Sequence, residues 1–374
     1  MGGRSGAGGL GATAGASGTG GFAGAAGASG TGGLAGTTGA AGGGGLAGTT
    51  GAGTCPCASN QYCDGGSCKS RLTQFSLPAD TQVQASYITA GADGNLWFTA
   101  GQVGRITTAG VVTLFYPLLP PGRPTGTSAQ AEAGIAAGPD GNIWFPYNLG
   151  GAGALLGSIS PSGTLSDYEI NDSIDSMAAT WGRLTTGPDG NMWVVAGFGS
   201  QGGKVFITTI SGTWSTIALP AASFGIATGP DGNVWVVEPS SNKIARVSLN
   251  GTVTEFAVPT AGSMPLNIAA GTDGNLWFTE QAAQKIGRIS PTGAFTEYAT
   301  SWRTYDVCQG PDGNLWFSEE NFATQVDGAL GRISSAGTLD EYAVASAPTG
   351  ITAGPDGNIW LIQRNGRIGK FLTP

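Results

Sequence analysis

Short apolar runs separated by turn residues recur along most of the chain. In one unit, an apolar run at 267–271 precedes an Asp-Gly-Asn turn at 273–275, and further short runs follow at 276–280, 285–290 and 295–298. Gly, Asp and Asn between short apolar runs predict four strands joined by tight turns. The Asp-Gly-Asn turn, followed by an apolar residue and Trp, occurs seven times, at Asp93, Asp140, Asp189, Asp231, Asp273, Asp312 and Asp356.

The spacing of this unit predicts the fold class. Successive turns are 39 to 49 residues apart, and no unit carries the 3.6-residue period of a helix. Seven units of four short strands are typical of an all-β, seven-bladed β-propeller. The last unit stops after its third strand at 367–372, whereas residues 72–78 match the fourth-strand pattern at 253–259. We therefore expect strand 71–77 to complete the last blade and close the ring.

Composition divides the chain into three parts: a low-complexity segment at 1–54, a Cys-rich module at 55–70 and the propeller at 71–374. The first part holds 24 of the 68 Gly, one charged residue and no Pro, and Gly recurs at every third position from Gly15 to Gly51. That period is also found in collagen, but the triple helix depends on Pro, which is missing here. A disordered, flexible spacer is the favoured interpretation, and oligomerisation stays open.

Four cysteines follow within fourteen residues, at Cys55, Cys57, Cys63 and Cys68. The spacing C-x-C-x5-C-x4-C lacks the paired knuckles of most zinc sites, so two disulfides of open connectivity are favoured over zinc. Disulfides indicate an extracellular or cell-surface location. No signal peptide is visible after Met1, so we expect an export signal upstream. The fifth cysteine, Cys308, occupies a position where other units carry Ala, which predicts a small core residue.

Charge and residue usage exclude several functional classes. The chain has no His, which excludes catalytic triads with His, Cys-His dyads and His-ligated metals. A net charge of −8 argues against nucleic-acid binding. No apolar run reaches 18 residues, so no transmembrane helix is expected.

The repeated residues favour structural roles. One carboxylate per Asp-Gly-Asn turn is too few for calcium, so the turn is interpreted as structural. The Trp that follows each turn is expected to pack between neighbouring blades. Arg and Glu recur on the third and fourth strands, and we expect cross-strand ion pairs between Arg105, Arg246, Arg288 or Arg332 and Glu255, Glu297 or Glu341.

A binding site is expected on the face that carries the longer loops, at 117–134, 146–156, 171–182, 197–203 and 319–330. Three blades end their second strand in Glu, so carboxylates could converge at the channel mouth; the alternative is that they cap strands and meet Lys243, Lys285 or solvent. Trp181 and Trp302 are possible additional walls near the same rim. The candidate ligand-binding residues are Glu238, Glu280, Glu319, Glu320, Tyr305 and Phe224.

The repeat G-P-D-G-N-L-W-F-T-E, followed by K-I-G-R-I-S-P-x-G-x-x-T-E-Y, resembles that of the virginiamycin B lyase (streptogramin B lyase) family over residues 71–374. The resemblance implies a monomeric seven-bladed propeller that opens the ester ring of streptogramin B antibiotics by elimination, using magnesium. It also implies two His and two Glu that carry the chemistry. The positions that match them by repeat phase are Tyr305, Thr349, Ala347 and Arg364.

None of these four residues supplies the chemistry that the resemblance implies. An elimination needs a base for the proton and carboxylates for the metal, and an Arg would repel a cation. We therefore favour an exported, non-catalytic propeller without a cofactor, which binds a small molecule, glycan or protein on its long-loop face. The alternative is a magnesium-dependent carbon-oxygen lyase of the streptogramin B type that uses Glu238, Glu280 and Glu319.

Overall fold

A computed structural model describes residues 57–64, 67–78, 85–115, 131, 134–148, 154–169, 180–197, 202–324 and 327–374. The predicted spacer at 1–54, together with Cys55, lies outside these residues, as do most of the predicted loops at 117–134 and 171–182. Within the described part, the strands form seven four-stranded antiparallel sheets and one two-stranded hairpin. This arrangement confirms the predicted all-β propeller.

The hairpin and the closing strand come first in the chain: β1 (Gln61–Asp64), β2 (Ser67–Ser70) and β3 (Leu72–Ser76). Blade 1 contains β4 (Tyr87–Ala90), β5 (Leu96–Thr99), β6 (Val103–Ile106) and β7 (Val112–Phe115). Blade 2 contains β8 (Ala136–Ala137), β9 (Ile143–Asn148), β10 (Ala154–Ile159) and β11 (Leu165–Glu169). Blade 3 contains β12 (Thr180–Thr186), β13 (Met192–Gly197), β14 (Gly203–Thr208) and β15 (Trp214–Leu219).

The remaining blades repeat this order. Blade 4 contains β16 (Ile226–Thr228), β17 (Val234–Glu238), β18 (Lys243–Val247) and β19 (Val253–Ala257). Blade 5 contains β20 (Pro265–Ala270), β21 (Leu276–Glu280), β22 (Lys285–Ile289) and β23 (Phe295–Ala299). Blade 6 contains β24 (Arg303–Gln309), β25 (Leu315–Glu320), β26 (Gly328–Ile333) and β27 (Leu339–Val344). Blade 7 contains β28 (Pro348–Ala353), β29 (Ile359–Gln363) and β30 (Arg367–Phe371).

The first strands of the blades form the inner ring. Each contacts the first strand of the next blade, and the series returns from β28 to β4. Strand β3 completes blade 7 by pairing antiparallel with β30, with Leu72 opposite Phe371 and Ser76 opposite Arg367. The predicted closing strand at 71–77 is therefore confirmed, one residue shorter at each end. Strands from both ends of the chain therefore meet in one sheet, and β3 gives blade 7 the same four strands as the other blades.

The core lies between neighbouring blades. Every repeated Trp is fully buried. Trp97 of blade 1 packs with Ile135 and Ile143 of blade 2, and Trp360 of blade 7 packs with Ile88 of blade 1. The predicted packing between blades is confirmed.

The Asp-Gly-Asn turn is fixed by its own side chains. In blade 5, Asp273 accepts hydrogen bonds from the Asn275 amide N (3.2 Å), from Asn275 Nδ2 (2.9 Å) and from Trp277 Nε1 (3.3 Å). Gly274 has φ of 75°, which a side chain would disfavour. The carboxylate thus satisfies the buried indole N–H and holds the turn, in agreement with the structural interpretation.

The predicted Arg–Glu pairs are wrong by one residue of register. Arg246 lies opposite Thr254, whereas Glu255 lies opposite Ala245, so the two charges occupy opposite faces of the sheet. Glu255 pairs instead with Lys243 at 2.9 Å. The Arg side chains reach the neighbouring blade, where Arg246 Nη1 donates to the Pro291 carbonyl at 2.9 Å. Arg105, Arg288 and Lys370 donate in the same way to the carbonyls of Pro161, Ser335 and Thr108.

The Cys-rich module contains a disulfide between Cys57 and Cys68, with Cα atoms 5.4 Å apart. Cys63 is also disulfide-bonded, and the disulfide interpretation is therefore supported over zinc. Asn60 Nδ2 donates to the Ala343 carbonyl at 3.1 Å, which ties the module to blade 6. Cys308 is half-buried against the core between blades 6 and 7. The described residues include no helix with the length and hydropathy of a membrane span.

Candidate functional site

A cavity of about 360 Å³ lies at the mouth of the central channel, on the face where the first strands begin. Six of the seven blades contribute to it. Its lining residues are Ala85, Ser86, Tyr87, Arg183, Phe224, Leu266, Asn267, Tyr305, Thr349 and Arg364. The volume falls in the lower part of the range of small-molecule sites, and aromatic walls with a few polar groups are typical of such sites. We call it the channel-mouth cavity.

Arg183 spans the channel beneath the mouth. It belongs to β12 of blade 3, and its Nη2 lies 2.7 Å from Oδ2 of Asp306 on β24 of blade 6. Asp306 is buried and also accepts hydrogen bonds from the Val307 and Ile351 amides, at 2.8 and 2.9 Å. The guanidinium carbon of Arg183 lies 5.0 Å from the centre of the Tyr87 ring, in cation–π contact. This brace joins blades 1, 3, 6 and 7.

A second ion pair lies at the rim. Arg364 follows β29 of blade 7, and its Nη2 lies 2.7 Å from Oε1 of the buried Glu320 on β25. Burial raises the pKa of Tyr305, and the neighbouring Glu320 carboxylate raises it further. Tyr305 is therefore a neutral phenol at ordinary pH. The Arg364 side chain remains 43% exposed, so part of its guanidinium is available to a ligand.

Asn267 fixes the wall between these two pairs. Its Nδ2 donates to the Tyr305 carbonyl at 2.7 Å, and its backbone N–H donates to Thr279 Oγ1 at 3.0 Å. The side chain is almost fully buried. Blades 5 and 6 are thus joined at the level of the cavity, which keeps its wall in place.

The structure does not bring the three strand-end glutamates into this cavity. Glu238, Glu280 and Glu319 are fully buried in blades 4, 5 and 6, and none is among the lining residues. Two of them lie opposite a Lys in the register: Glu238 opposite Lys243, and Glu280 opposite Lys285. The surroundings of Glu238 and Glu280 therefore match the alternative in which these residues end strands beside Lys. A ligand-binding role for all three Glu stays a prediction.

Burial changes the acidity of these three carboxyls. It raises the pKa of Glu238 to about 7, that of Glu280 to about 7 and that of Glu319 to about 8. A second carboxylate on the fourth strand of each blade adds to the shift, while Lys243 and Lys285 oppose it in the first two. In these three blades the Glu at the end of the second strand therefore favours the protonated form, because it is buried and lies near a second carboxylate.

Of the four positions that the resemblance singles out, three lie in the cavity lining and one does not. Tyr305, Thr349 and Arg364 line the channel-mouth cavity. Thr349 Oγ1 donates to the Ile362 carbonyl at 3.5 Å. Ala347 is fully buried and presents only its carbonyl, which accepts from the Arg364 amide at 2.9 Å. These side chains offer no group that would take a proton from carbon near neutral pH.

Of the aromatic candidates, Phe224 lines the cavity and the two Trp do not. Trp181 packs in the core between blades 2 and 3. Trp302 borders a second cavity of about 370 Å³, which Asn60 and residues of blade 6 also line. Sequence reasoning missed Arg183, Asp306 and Asn267. The available signal was a charged residue within a first strand, Arg183 in β12 and Asp306 in β24. The repeat did not show that these two residues, from distant blades, form an ion pair.

Magnesium does not fit the residues at this mouth. The ion takes oxygen ligands, usually with one or two carboxylates. Among the residues that the structure describes, the lining includes two Arg and no Asp or Glu, and Asp306 and Glu320 are already paired with those Arg. The described part of the chain holds no group of three or more His, Cys, Asp or Glu placed to bind a metal.

Solved structures with the same fold include two lyases. The chain is 26% identical to a streptogramin B lyase, with a TM-score of 0.67, over 80% of this chain and 96% of that one. It is 27% identical to a catalytically inactive virginiamycin B lyase from Staphylococcus aureus with quinupristin, with a TM-score of 0.66, over 80% of this chain and 98% of that one. YCF48 bound to D1 peptide, at 13% identity and a TM-score of 0.60, shares the fold alone.

No curated protein sequence matches the chain. The sequence profile described as the Virginiamycin B lyase family matches residues 66–176 and 124–321. These two matches overlap and together span most of the propeller, including the blades that carry Arg183, Phe224, Asn267 and Tyr305. The chain therefore belongs to the virginiamycin B lyase family.

Proposed function

We propose that this chain is an exported, monomeric propeller that binds a small ligand in the channel-mouth cavity and does not open the streptogramin B ring. The observation that carries the proposal is the cavity itself, which has aromatic walls, two Arg and no base or metal-binding carboxylate among its described lining residues. A preformed apolar cavity with a few polar groups is suited to binding. An elimination would need a group that accepts a proton from carbon.

The disulfide between Cys57 and Cys68 supports the location outside the cell, because disulfides persist in oxidising compartments. The same module contacts blade 6 through Asn60, so it is part of the folded unit and not a separate tether.

The second candidate function is a magnesium-dependent lyase of the streptogramin B type. Family membership favours it, since two lyases share the fold at 26% and 27% identity. Its carboxylates would be Glu238, Glu280 and Glu319, which lie in three separate blades. The lyase reaction would then need a metal site assembled from residues that the cavity does not contain.

The test of the binding proposal is ligand-observed NMR on the full chain with a set of small aromatic compounds. Leu266→Trp would fill the cavity from its wall, since Leu266 is a half-buried lining residue. Leu249→Trp is the matched control, because Leu249 is 50% exposed and lies outside the cavity lining. We expect compounds that bind the native chain and Leu249→Trp to lose binding to Leu266→Trp. Binding that survives in Leu266→Trp, or no binding at all, would contradict the proposal.

A further inference from the structure

The channel-mouth cavity differs in charge from the rest of the molecule. The chain carries 16 Lys and Arg against 24 Asp and Glu. The described lining of the cavity nevertheless contains two Arg and no acidic residue. The two carboxylates nearby, Asp306 and Glu320, are buried behind the Arg side chains, at 1% and 2% exposure. The described lining therefore offers guanidinium N–H donors to a ligand, while the carboxylates that balance their charge lie behind them.

Each Arg keeps donors beyond its ion pair. A guanidinium has five N–H donors, and a carboxylate partner uses at most two of them. Arg364 approaches Glu320 through Nη2, with 43% of its side chain exposed. Arg183 approaches Asp306 through Nη2, with 21% of its side chain exposed. The ion pairs hold both guanidinium groups in fixed positions, which lowers the entropy cost of engaging a ligand.

The remaining walls fit a flat apolar group. Tyr87, Phe224 and Tyr305 are rings from blades 1, 4 and 6, and Leu266 lies between them on blade 5. Tyr87 already contacts the Arg183 guanidinium, so the cationic and aromatic parts of the wall are adjacent. A ligand that places an anionic oxygen group at the Arg side chains would place its ring against these residues.

We propose that the ligand of the channel-mouth cavity is a small aromatic oxyanion, whose anionic group is bound by Arg364 with support from Arg183. This inference rests on the proposed function, since it names the ligand class of the same cavity. Carboxylate and phosphate present the same chemistry to a guanidinium, and the experiment below separates them.

The test is titration of the full chain with three probes: 4-hydroxyphenylacetate, phenyl phosphate and the neutral 4-hydroxyphenylacetamide. We expect one or both anions to bind on the order of tenfold more tightly than the amide, because charge-assisted hydrogen bonds are stronger than neutral ones. A tighter carboxylate identifies a carboxylate ligand, and a tighter phosphate identifies a phosphate ester.

Arg364→Gln/Glu320→Gln is the informative variant, because it removes both charges of the pair and leaves no buried carboxylate unpaired. Arg367→Gln is the matched control: Arg367 is exposed, lies outside the cavity lining and donates to Gln74 at 3.0 Å. The preference for the anion should fall at least fivefold in the double variant and persist in the control. Arg364→Lys keeps the charge and should retain part of the preference.

Two results would overturn the inference. If the amide binds as tightly as the anions, the affinity of the cavity for aromatic rings does not depend on charge. The inference is then wrong, and the binding proposal is unaffected. If the anion preference is unchanged in Arg364→Gln/Glu320→Gln, the anion lies elsewhere. A different result would contradict the binding proposal itself: no aromatic compound binds the native chain more tightly than it binds Leu266→Trp. This inference would then fail with that proposal.

Discussion

At the residue scale, the brace between Arg183 and Asp306 links inner strands on opposite sides of the channel. Its two members come from blades 3 and 6, and the Asp306 carboxylate also accepts the Ile351 amide of blade 7. The carboxylate is therefore fully engaged in holding the inner strands. Residues of this kind explain why a charge can lie in the interior of a propeller without serving as a ligand for a metal.

Replacing Arg183 by Met should destabilise the fold by about 3 kcal/mol, because a buried carboxylate that loses its ion-pair partner is costly. The lower part of the expected range applies, since Arg183 is 21% exposed. Arg332→Met is the matched control: its partners Asp340 and Asp312 are 43% and 19% exposed, so both can be hydrated when the Arg is removed, and the loss should be about 1 kcal/mol. Urea unfolding measures both. Equal losses in the two variants would contradict the role of the brace.

The buried glutamates predict a stability that falls as pH rises. The pKa of Glu280 is about 7 in the folded chain against an ordinary value of 4.5, and Glu238 and Glu319 are raised in the same direction to about 7 and about 8. A raised folded-state pKa contributes stability that is complete below pH 4.5 and is lost as pH rises through the folded-state value. The chain has no His, so no imidazole titrates in this window.

We therefore expect the midpoint of urea unfolding to decrease from pH 5 to pH 8.5. In the Glu280→Gln variant the midpoint should decrease less over the same range. On the acid side the trend reverses, because Asp93, Asp312 and Glu297 have a lowered pKa and lose their stabilising charge there. A midpoint that stays constant or rises between pH 5 and pH 8.5 would contradict the burial of these carboxyls.

The same residues show what the sequence could and could not predict about the site. The resemblance and repeat phase singled out Tyr305, Thr349 and Arg364, and Phe224 was a candidate wall near the same rim; all four line one cavity, and a binding role for them stays a prediction. The direction of the strand-end glutamates was not readable, since a shift of one residue moves a side chain to the opposite face. Arg183 was missed because its partner lies three blades away, beyond any contact that a repeat specifies.

At the element scale, the Asp-Gly-Asn turn was the most predictable feature. All of its information is local: the Asp carboxylate, the Gly with positive φ and the Trp four residues after the Asp occur together in each unit. The third and fourth strands were less predictable. Their Arg side chains bind carbonyl groups of the next blade, as Arg246 does at Pro291, and such contacts depend on how the blades pack.

Strand β3 is the element on which closure of the ring depends. Phe75 of this strand stacks on Trp360 of blade 7, with ring centres 5.6 Å apart, and Leu72 packs against the core between blades 6 and 7. Removing residues 1–77 would expose these surfaces and leave β30 with an open edge. Removing residues 1–54 touches none of the described contacts.

We expect the 55–374 fragment to keep the melting temperature of the full chain, and the 78–374 fragment to unfold at a lower temperature or to aggregate. Thermal unfolding followed by circular dichroism tests both, and 55–374 serves as the control for truncation itself. If 78–374 melts with the full chain, ring closure by β3 does not contribute to stability.

At the scale of the whole molecule, the fold and the family were predictable from one sequence because a propeller repeats its information seven times. Each blade buries its Trp against the next, and the ring closes when β3 joins β30. Function is not repeated in this way. The function that we propose depends on residues such as Arg183 and Arg364, each of which lines the cavity from one blade alone.

We propose that this member of the family has a binding cavity in place of lyase chemistry. The most direct test is mass spectrometry of a streptogramin B incubated with the full chain and magnesium, beside a lyase of the family as positive control. We expect the antibiotic to stay intact with this chain while the control opens its ring. Ring-opened product that disappears when a chelator is added would show that the chain is a metal-dependent lyase, and Glu238, Glu280 and Glu319 would then be the residues to mutate.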